Sequence, residues 1–228
     1  MTARHVLFWD IDGTLLTTKR AGVFALEEAA REVCGRSPDF ARLKTAGLTD
    51  HEVAMLAIRE CGATESPETA SAFLRAYERH LPERLGWRQG GPLPGVVEIL
   101  DALELRGDAT SMLLTGNTPD GAAAKLEHYG LSRYFAGGAF CTDGDDRGRI
   151  AASALAVAAE AVGEEVRAWN AFVIGDTPHD VNCGKQIGAR TVAVASGPYS
   201  LAELSEHDPW LALERLPDPA RFIELLML

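Results

Sequence analysis

The chain has 228 residues, 46% of them hydrophobic, which is enough for one large domain or for one domain with an insertion. Its 22 Lys and Arg residues and 33 Asp and Glu residues give a formal charge of −11, which repels phosphate backbones and argues against nucleic acid as a partner. The N-terminus MTARHVLFWD lacks a signal-peptide pattern, and no window reaches the ~18 apolar residues of a membrane span, so we expect a cytoplasmic protein with no membrane partner. The four cysteines form no CxxC pair, and we expect them to be free thiols.

The first predicted elements are a short buried strand and a block of helices. The strand covers residues 4–9 (RHVLFW), an apolar run of strand length. A helix over 21–34 follows, then one that begins at Asp50, then one from Pro67 to about residue 81. Residues 18–90 contain no convincing strand pattern, and we predict that they form an all-helical cap domain.

From residue 91 onward, predicted strands alternate with predicted helices. This alternation is typical of a parallel sheet with helices on both faces, so we predict an α/β fold with a doubly wound, mainly parallel, Rossmann-like sheet from residues 1–17 and 91–228. The inserted cap would lie over the carboxyl edge of the sheet, where open α/β sheets bind ligands. The predicted strands cover residues 109–115, 138–141, 169–174 and 190–195, and the predicted helices cover residues 94–107, 118–130, 150–162 and 179–187.

Acidic and polar residues follow three of these strands, in the strings DIDGT, TGN and DTPHD. Because parallel strands end at one edge of the sheet, we expect these side chains to converge. Crowded carboxylates raise one another's pKa and cost folding free energy, and a divalent cation reverses that cost. Oxygen ligands and an anionic substrate favour Mg²⁺ over a softer metal. The converging residues are Asp10, Asp12, Thr115, Asp176 and Asp180.

These motifs resemble those of the haloacid dehalogenase-like superfamily of phosphatases and phosphotransferases. Residues 10–15 (DIDGTL) match its first motif, residues 115–117 (TGN) its second and residues 175–180 (GDTPHD) its fourth, in the order typical of the family. The resemblance covers nearly the whole chain and points to the phosphoglycolate-phosphatase-like branch with a helical cap. It implies a Mg²⁺-dependent hydrolase that acts on a small phosphorylated metabolite through an aspartyl phosphate.

The resemblance also implies a role for each motif residue. Asp10 is the nucleophile, and Asp12 is the general acid for the leaving oxygen and then the base for water. Asp10, the backbone carbonyl of Asp12 and Asp176 bind Mg²⁺. Asp180 lies beside them in the metal site, and Thr115 donates a hydrogen bond to a phosphoryl oxygen. The phosphate-binding residues further include Gly13, Thr14, Gly116 and Asn117.

Two assignments stay open at this point. The third motif of the family is a Lys or Arg, and in CTDGDDRGRIAASAL we favour Arg147, with Arg149 and Lys125 as alternatives. An arginine is chemically suitable because its guanidinium can bridge phosphate and carboxylate. Thr49 and Asp50, in AGLTDHEV, resemble the substrate-facing loop of helical caps, but they equally fit the N-terminal cap of the helix that they begin.

Three other functions use similar residues. A 2-haloacid dehalogenase needs the first aspartate but neither a second acid nor a metal, so Asp12 argues against it. A sugar-phosphate mutase uses the same core motifs, and retention of the aspartyl phosphate would distinguish it. A phospho-acceptor switch also has an aspartate at a parallel-sheet edge, but receiver domains are far shorter and lack the cap. The sequence leaves the exact substrate open, as well as whether the protein is a monomer or a homodimer.

Overall fold

The computed structural model describes residues 5–142, 144, 146–163 and 165–228. Arg4, the first residue of the predicted N-terminal strand, lies outside the described residues. The described strands form a six-stranded sheet and a two-stranded sheet. In chain order they are β1 (His5–Trp9), β2 (Leu16–Thr17), β3 (Gly91–Pro92), β4 (Ala109–Leu114), β5 (Gly138–Ala139), β6 (Ala171–Gly175), β7 (Arg190–Val194) and β8 (Leu211–Leu213).

The larger sheet is parallel throughout, with the strand order β5-β4-β1-β6-β7-β8. Strand β1 lies at its centre, between β4 and β6. The chain therefore leaves these three strands side by side at the carboxyl edge of the sheet. This topology brings residues 10–18, 115–118 and 176–180 to one place, although they are far apart in sequence.

Helices account for most of the remaining described chain. In chain order they are α1 (Ala21–Cys34), α2 (Asp50–Glu60), α3 (Pro67–Leu85), α4 (Val96–Glu104), α5 (Pro119–His128), α6 (Arg147–Val162), α7 (Pro178–Gln186), α8 (Leu201–Ser205) and α9 (Pro219–Leu226). Helices α1, α2 and α3 lie between β2 and β3 in the sequence, and we call them the helical insert. Among the described helices, none combines the length and the hydrophobicity that crossing a bilayer requires.

Strand β1 separates two hydrophobic cores. Leu7 and Trp9 are fully buried against α4 and α9 on one face of the sheet. Val6 and Phe8 are fully buried against α6 on the other face. Because successive side chains of a strand point to opposite faces, a strand covered on both sides is a continuous apolar run. The predicted doubly wound α/β fold is therefore confirmed.

The helical insert has a hydrophobic core of its own, in which Ala25, Ile58 and Phe73 are fully buried. The chain enters the insert through β2 and leaves it through β3, and these two strands pair antiparallel as a short ribbon. The ribbon lies where the sequence predicts the cap to begin and end, after residue 17 and before residue 91. The division into two domains itself stays a prediction.

Some elements differ from the sequence prediction. The ribbon, β8, α8 and α9 are absent from it, and the strand predicted over 138–141 covers only two residues in β5. Helix α3 continues through Pro82 to Leu85, although an internal proline costs a helix about 3 kcal/mol. Leu81 and Leu85 are fully buried in the insert, so their packing offsets that cost. Helix α6 begins three residues earlier than predicted because Asp146 caps it by accepting a hydrogen bond from the Arg149 amide.

The contact between Trp9 and Phe222 tests how strongly α9 stabilises the sheet. Their rings stack with centroids 5.8 Å apart, and both side chains are fully buried. We expect Phe222→Ala to lower the free energy of unfolding by about 3–5 kcal/mol in denaturant titration, because it leaves a cavity beside β1. Leu105→Ala, at a side chain that is 89% exposed, should change it by less than about 0.5 kcal/mol. Equal losses in the two variants would contradict this role of α9.

Candidate active site

A cavity of about 350 Å³ lies between the carboxyl edge of the sheet and the helical insert. The loops after β1, β4 and β6 form its floor. Helix α1 and residues 45–50, which lead into α2, form its roof. Of the predicted site residues, those that line the cavity are Asp10, Asp12, Gly13, Asp50, Gly116, Asn117, Arg147 and Asp176, together with the alternative cation Lys125.

Three buried carboxylates converge on the floor of this cavity. Asp10, Asp176 and Asp180 each offer an oxygen, and the three oxygens lie within 4.8 Å of one another. Asp10 Oδ1 is buried and has no hydrogen-bond partner. Asp176 Oδ1 accepts a hydrogen bond of 2.9 Å from the Thr14 hydroxyl. We call Asp10, Asp176 and Asp180 the acidic cluster; its oxygens are of the kind that bind a hard cation.

Burial makes the charged form of this cluster costly. It raises the pKa of Asp10 to about 7, and the negative charge of Asp180 adds to the effect, while Arg147 and a hydrogen bond from Thr115 oppose it. Burial likewise raises the pKa of Asp176 to about 8, reinforced by the charges of Asp10 and Asp180. Near neutral pH the cluster therefore retains protons unless a positive charge stabilises its carboxylates.

Arg147, the first residue of α6, brings a positive charge to this cluster. Its Nη1 donates a hydrogen bond of 3.1 Å to Asp180 Oδ1, and its Nη2 lies 3.6 Å from Asp10 Oδ1. Its Nε donates to the Gly47 carbonyl at 3.1 Å, which ties the roof to the floor. Arg149, two residues further along α6, is exposed. Arg147 therefore contacts two acids of the cluster, and its role as the third-motif cation stays a prediction.

Lys125 contacts a different acid. Its Nζ donates to Asp12 Oδ2 and to Asn117 Oδ1, each at 2.5 Å, and its side chain is only 5% exposed. Asn117 Nδ2 donates to the same Asp12 oxygen at 2.9 Å. The Asp12 carboxylate therefore points toward Lys125 and Asn117. Sequence reasoning weighed Lys125 only as a third-motif cation and missed this contact.

Thr115 lies at the tip of β4 and is fully buried. Its Oγ1 accepts a hydrogen bond of 2.9 Å from Asn117 Nδ2. Its hydroxyl also hydrogen-bonds the Asp10 carboxyl, which lowers the pKa of that group. Thr115 thus lies beside the predicted nucleophile, and its predicted contact with a phosphoryl oxygen stays a prediction.

Two glycines allow close approaches that a side chain would prevent. Gly13 has a φ of +86°, and a Cβ there would meet the Asp176 carboxylate. A Cβ on Gly116 would lie 3.0 Å from the Leu48 carbonyl oxygen and from the Thr49 Cα. Gly13 therefore lets the first loop pass the acidic cluster, and Gly116 lets the roof approach the second loop.

Thr49 and Asp50 both have structural partners. Thr49 begins α2 with a reciprocal cap, in which its Oγ1 accepts from the Glu52 amide and its own amide donates to Glu52. The Asp50 amide donates to the Gly116 carbonyl at 2.7 Å, and Asp50 Oδ2 accepts from the Thr118 amide at 2.8 Å. Burial raises the pKa of Asp50 to about 6. Both residues thus connect or cap the roof, and their contact with a substrate stays a prediction.

The loop after β7 is part of the site, although the motifs do not include it. Ser196 Oγ donates to the Gly13 carbonyl at 2.7 Å. A Cβ on Gly197 would overlap the Asp176 carboxylate, so that loop passes directly over the acidic cluster. The predicted strand over 190–195 could have indicated this loop, because the residues that follow a parallel strand lie at the same edge of the sheet as the other loops.

A model of the haloacid dehalogenase-like hydrolase family matches residues 7–185. The chain is also similar to solved structures over nearly its whole length. No curated protein matches the sequence significantly.

Three of the solved structures illustrate this similarity. A hydrolase from Pseudomonas syringae is 23% identical over 98% of each chain, with a TM-score of 0.72. A predicted phosphatase from Clostridium acetobutylicum is 17% identical over 99% of this chain and 100% of that chain, with a TM-score of 0.75. A predicted phosphoglycolate phosphatase from Haemophilus somnus is 15% identical over 99% of this chain and 98% of that chain, with a TM-score of 0.72.

At these identities the solved structures establish a shared fold. The family model establishes more, because it covers well over half of the chain and includes all three motifs at the carboxyl edge of the sheet. The chain therefore belongs to the haloacid dehalogenase-like hydrolase family.

Proposed function

We propose that this protein is a Mg²⁺-dependent phosphatase that hydrolyses a small-molecule phosphomonoester through an aspartyl-phosphate intermediate. The observation that carries the proposal is a buried acidic cluster and two buried cations, Arg147 and Lys125, around one cavity. Phosphoryl transfer requires an in-line nucleophile and neutralised phosphoryl oxygens: Asp10 would supply the first, and Arg147 together with a cation held by the acidic cluster would supply the second. The names of two similar structures, a predicted phosphatase and a predicted phosphoglycolate phosphatase, agree with this reaction class.

The acidic cluster fits a hard divalent cation. Asp10 Oδ1 is buried without a hydrogen-bond partner, and the pKa of Asp10 and that of Asp176 are both raised, so the single positive charge of Arg147 does not compensate the acidic cluster. Asp10, the backbone carbonyl of Asp12 and Asp176 would hold the ion. When bound, Mg²⁺ supplies positive charge that neutralises phosphoryl oxygens next to the attacking carboxylate.

Asp180 fits an orienting role better than a direct metal contact. Its Oδ2 accepts hydrogen bonds from the Thr177 amide and hydroxyl, at 3.0 and 2.7 Å. Its Oδ1 accepts from Arg147. Because both of its oxygens are already engaged, we propose that Asp180 holds the guanidinium in place beside Asp10.

The reaction divides between Asp10 and Asp12. A carboxylate oxygen of Asp10 attacks phosphorus, the bond from phosphorus to the leaving oxygen breaks, and Asp12 gives its proton to that oxygen. Asp12 then takes a proton from water as the water attacks phosphorus, and the bond to Asp10 breaks to release phosphate. Arg147 and Thr115 border Asp10 and would donate to the phosphoryl oxygens.

The helical insert would act as a cap over this reaction. Hydrogen bonds from Asp50 to Gly116 and from Arg147 to Gly47 hold its roof against the catalytic loops. A closed roof excludes bulk water and strengthens electrostatic contacts inside the cavity. A volume of about 350 Å³ suits a phosphoryl group with a small leaving group, which supports a phosphorylated metabolite as substrate.

Stability measurements with and without Mg²⁺ test the metal site independently of activity. Asp10 and Asp176 have pKa values of about 7 and 8 in the folded chain, against an ordinary value of 3.8. Between those limits the folded state binds more protons than the unfolded state, so the contribution of these groups to stability falls as the pH rises from about 4 to 8. Mg²⁺ should therefore raise the melting temperature more at pH 8 than at pH 5.

A matched pair of variants makes this test specific. Asp176→Asn should lose most of the gain at pH 8, which is about 2.7 kcal/mol at a concentration of 100 Kd. Asp208→Asn, at a surface side chain that is 98% exposed, should keep the gain. An unchanged gain in Asp176→Asn would exclude the acidic cluster as the metal site.

Phosphate release tests the nucleophile. The wild-type protein with Mg²⁺ should release phosphate from 4-nitrophenyl phosphate, and EDTA should abolish the release. Asp10→Asn should reduce it to background, because a carboxamide does not form the aspartyl phosphate. Release that survives Asp10→Asn would show that another group attacks phosphorus. An aspartyl phosphate that passes to a sugar phosphate and not to water would indicate a mutase.

Substitution of Asp12 tests the division of roles. Asp12→Ala should lower kcat by about 10²–10⁴-fold, the usual contribution of general acid and base catalysis. The melting temperature should fall, because the substitution leaves the buried Lys125 ammonium without its carboxylate partner, so kcat is compared at a temperature at which the variant is folded. A loss below about threefold would assign the acid role to a different residue.

A further inference from the structure

Lys125 is a buried ammonium outside the acidic cluster, and the reaction above gives it no role. It lies on α5, two turns after the loop that carries Thr115 and Asn117. Its desolvation is costly, and such groups are kept in protein interiors when they are paired. Its Nζ is paired with Asp12 Oδ2 and with Asn117 Oδ1, each at 2.5 Å.

Lys125 and Asn117 both donate a hydrogen bond to one oxygen of Asp12. Asn117 accepts from Lys125 through Oδ1 and donates through Nδ2 to the same Asp12 Oδ2, at 2.9 Å. The three side chains thus form a closed hydrogen-bonded ring. Asn117 Nδ2 also donates to Thr115 Oγ1, which anchors the ring to the end of β4. This arrangement fixes the rotation of the Asp12 carboxylate.

The second oxygen of Asp12 is left open. Asp12 Oδ1 accepts no hydrogen bond from any described residue, and the side chain of Asp12 is 45% exposed and borders the cavity. A carboxylate held through Oδ2 alone therefore presents Oδ1 to the cavity. That is the atom that would exchange a proton with the leaving oxygen of a substrate.

Residues of the helical insert also lie next to Lys125. Tyr77 of α3 and Asp50 of α2 line the cavity next to it. Asp50 is held by the Thr118 amide, at 2.8 Å, at the beginning of α5. Arg147 lies on the other side of the site, at Asp10 and Asp180. The two buried cations therefore serve different acids, and they are not interchangeable.

We propose that Lys125 is a positioning residue for Asp12: it holds one carboxylate oxygen so that the other faces the leaving oxygen of the substrate. The inference rests on the proposed function and deepens it, because it separates the groups that assist departure of the leaving group from those that bind the phosphoryl group. Loss of Lys125 should therefore lower kcat more for a substrate whose leaving oxygen needs a proton than for one whose leaving oxygen does not.

Two esters of similar shape test this separation. Phenyl phosphate has a poor leaving group that needs a proton, whereas 4-nitrophenyl phosphate has a good leaving group that departs without one. In Lys125→Met and Lys125→Gln, we expect kcat for phenyl phosphate to fall about tenfold more than kcat for 4-nitrophenyl phosphate, with KM nearly unchanged. Lys185→Met removes a surface lysine that binds the His207 carbonyl, and it should leave both rates unchanged.

A double-mutant cycle shows whether Lys125 acts through Asp12. In an Asp12→Asn background, Lys125→Met should lower kcat for phenyl phosphate by less than about twofold, because the group it positions is already gone. A full additional loss in that background would overturn the inference. So would equal losses for the two esters in Lys125→Met, which indicate a general structural role.

The remaining outcomes are also decisive. If neither Lys125 variant folds, as judged by thermal unfolding, Lys125 is a structural residue and the positioning role is wrong. If wild-type protein releases phosphate from neither ester, the proposed function itself fails, and the inference fails with it. A wild type that is active, with Asp10→Asn inactive and the ester ratio unchanged in Lys125→Met, overturns the inference alone.

Discussion

The mutual repulsion of buried carboxylates is the constraint on which the rest of this structure depends. Strands β1 and β6 end beside one another, and the chain places Asp10 and Asp176 directly after them and Asp180 in the first turn of α7. Burial and proximity raise the pKa of Asp10 and of Asp176, so the arrangement opposes its own ionisation. By itself such a cluster destabilises the folded state. In the proposed function the same carboxylates would bind a cation and attack a phosphoryl group.

Much of the local structure limits that cost without removing it. Thr14 donates to Asp176, Thr115 hydrogen-bonds Asp10, and Arg147 lies between Asp10 and Asp180. Each contact stabilises the charged form of a carboxyl group. The second cation, Lys125, is kept apart at Asp12. The site thus has two charged regions, and in the proposed reaction one would bind the phosphoryl group and the other would face the leaving group.

The sequence predicted the strands of the sheet well because a strand that is buried on both faces consists of consecutive apolar residues, as in HVLFW. It also predicted that Asp10, Asp176 and Asp180 lie together, because the ends of parallel strands share an edge, whereas the carboxylate of Asp12, expected with them, contacts Lys125. It did not predict β8, a three-residue edge strand with only partly buried side chains. The partner of Lys125 was missed for a physical reason: helical periodicity places a lysine on a face of α5, but only tertiary packing decides whether that face meets Asp12. The same limit applies to Asp50, whose contacts cross from the insert to Gly116 and Thr118.

The antiparallel ribbon of β2 and β3 has a consequence for how this protein can change over evolution. Because Leu16 pairs with Pro92 and Thr17 with Gly91, the two ends of the intervening segment emerge side by side. A segment with adjacent ends can be exchanged for another folded module without displacing the scaffold that receives it. Evolution could therefore replace the helical insert, and with it the residues that cover the cavity, while the loops at the carboxyl edge of the sheet keep their geometry.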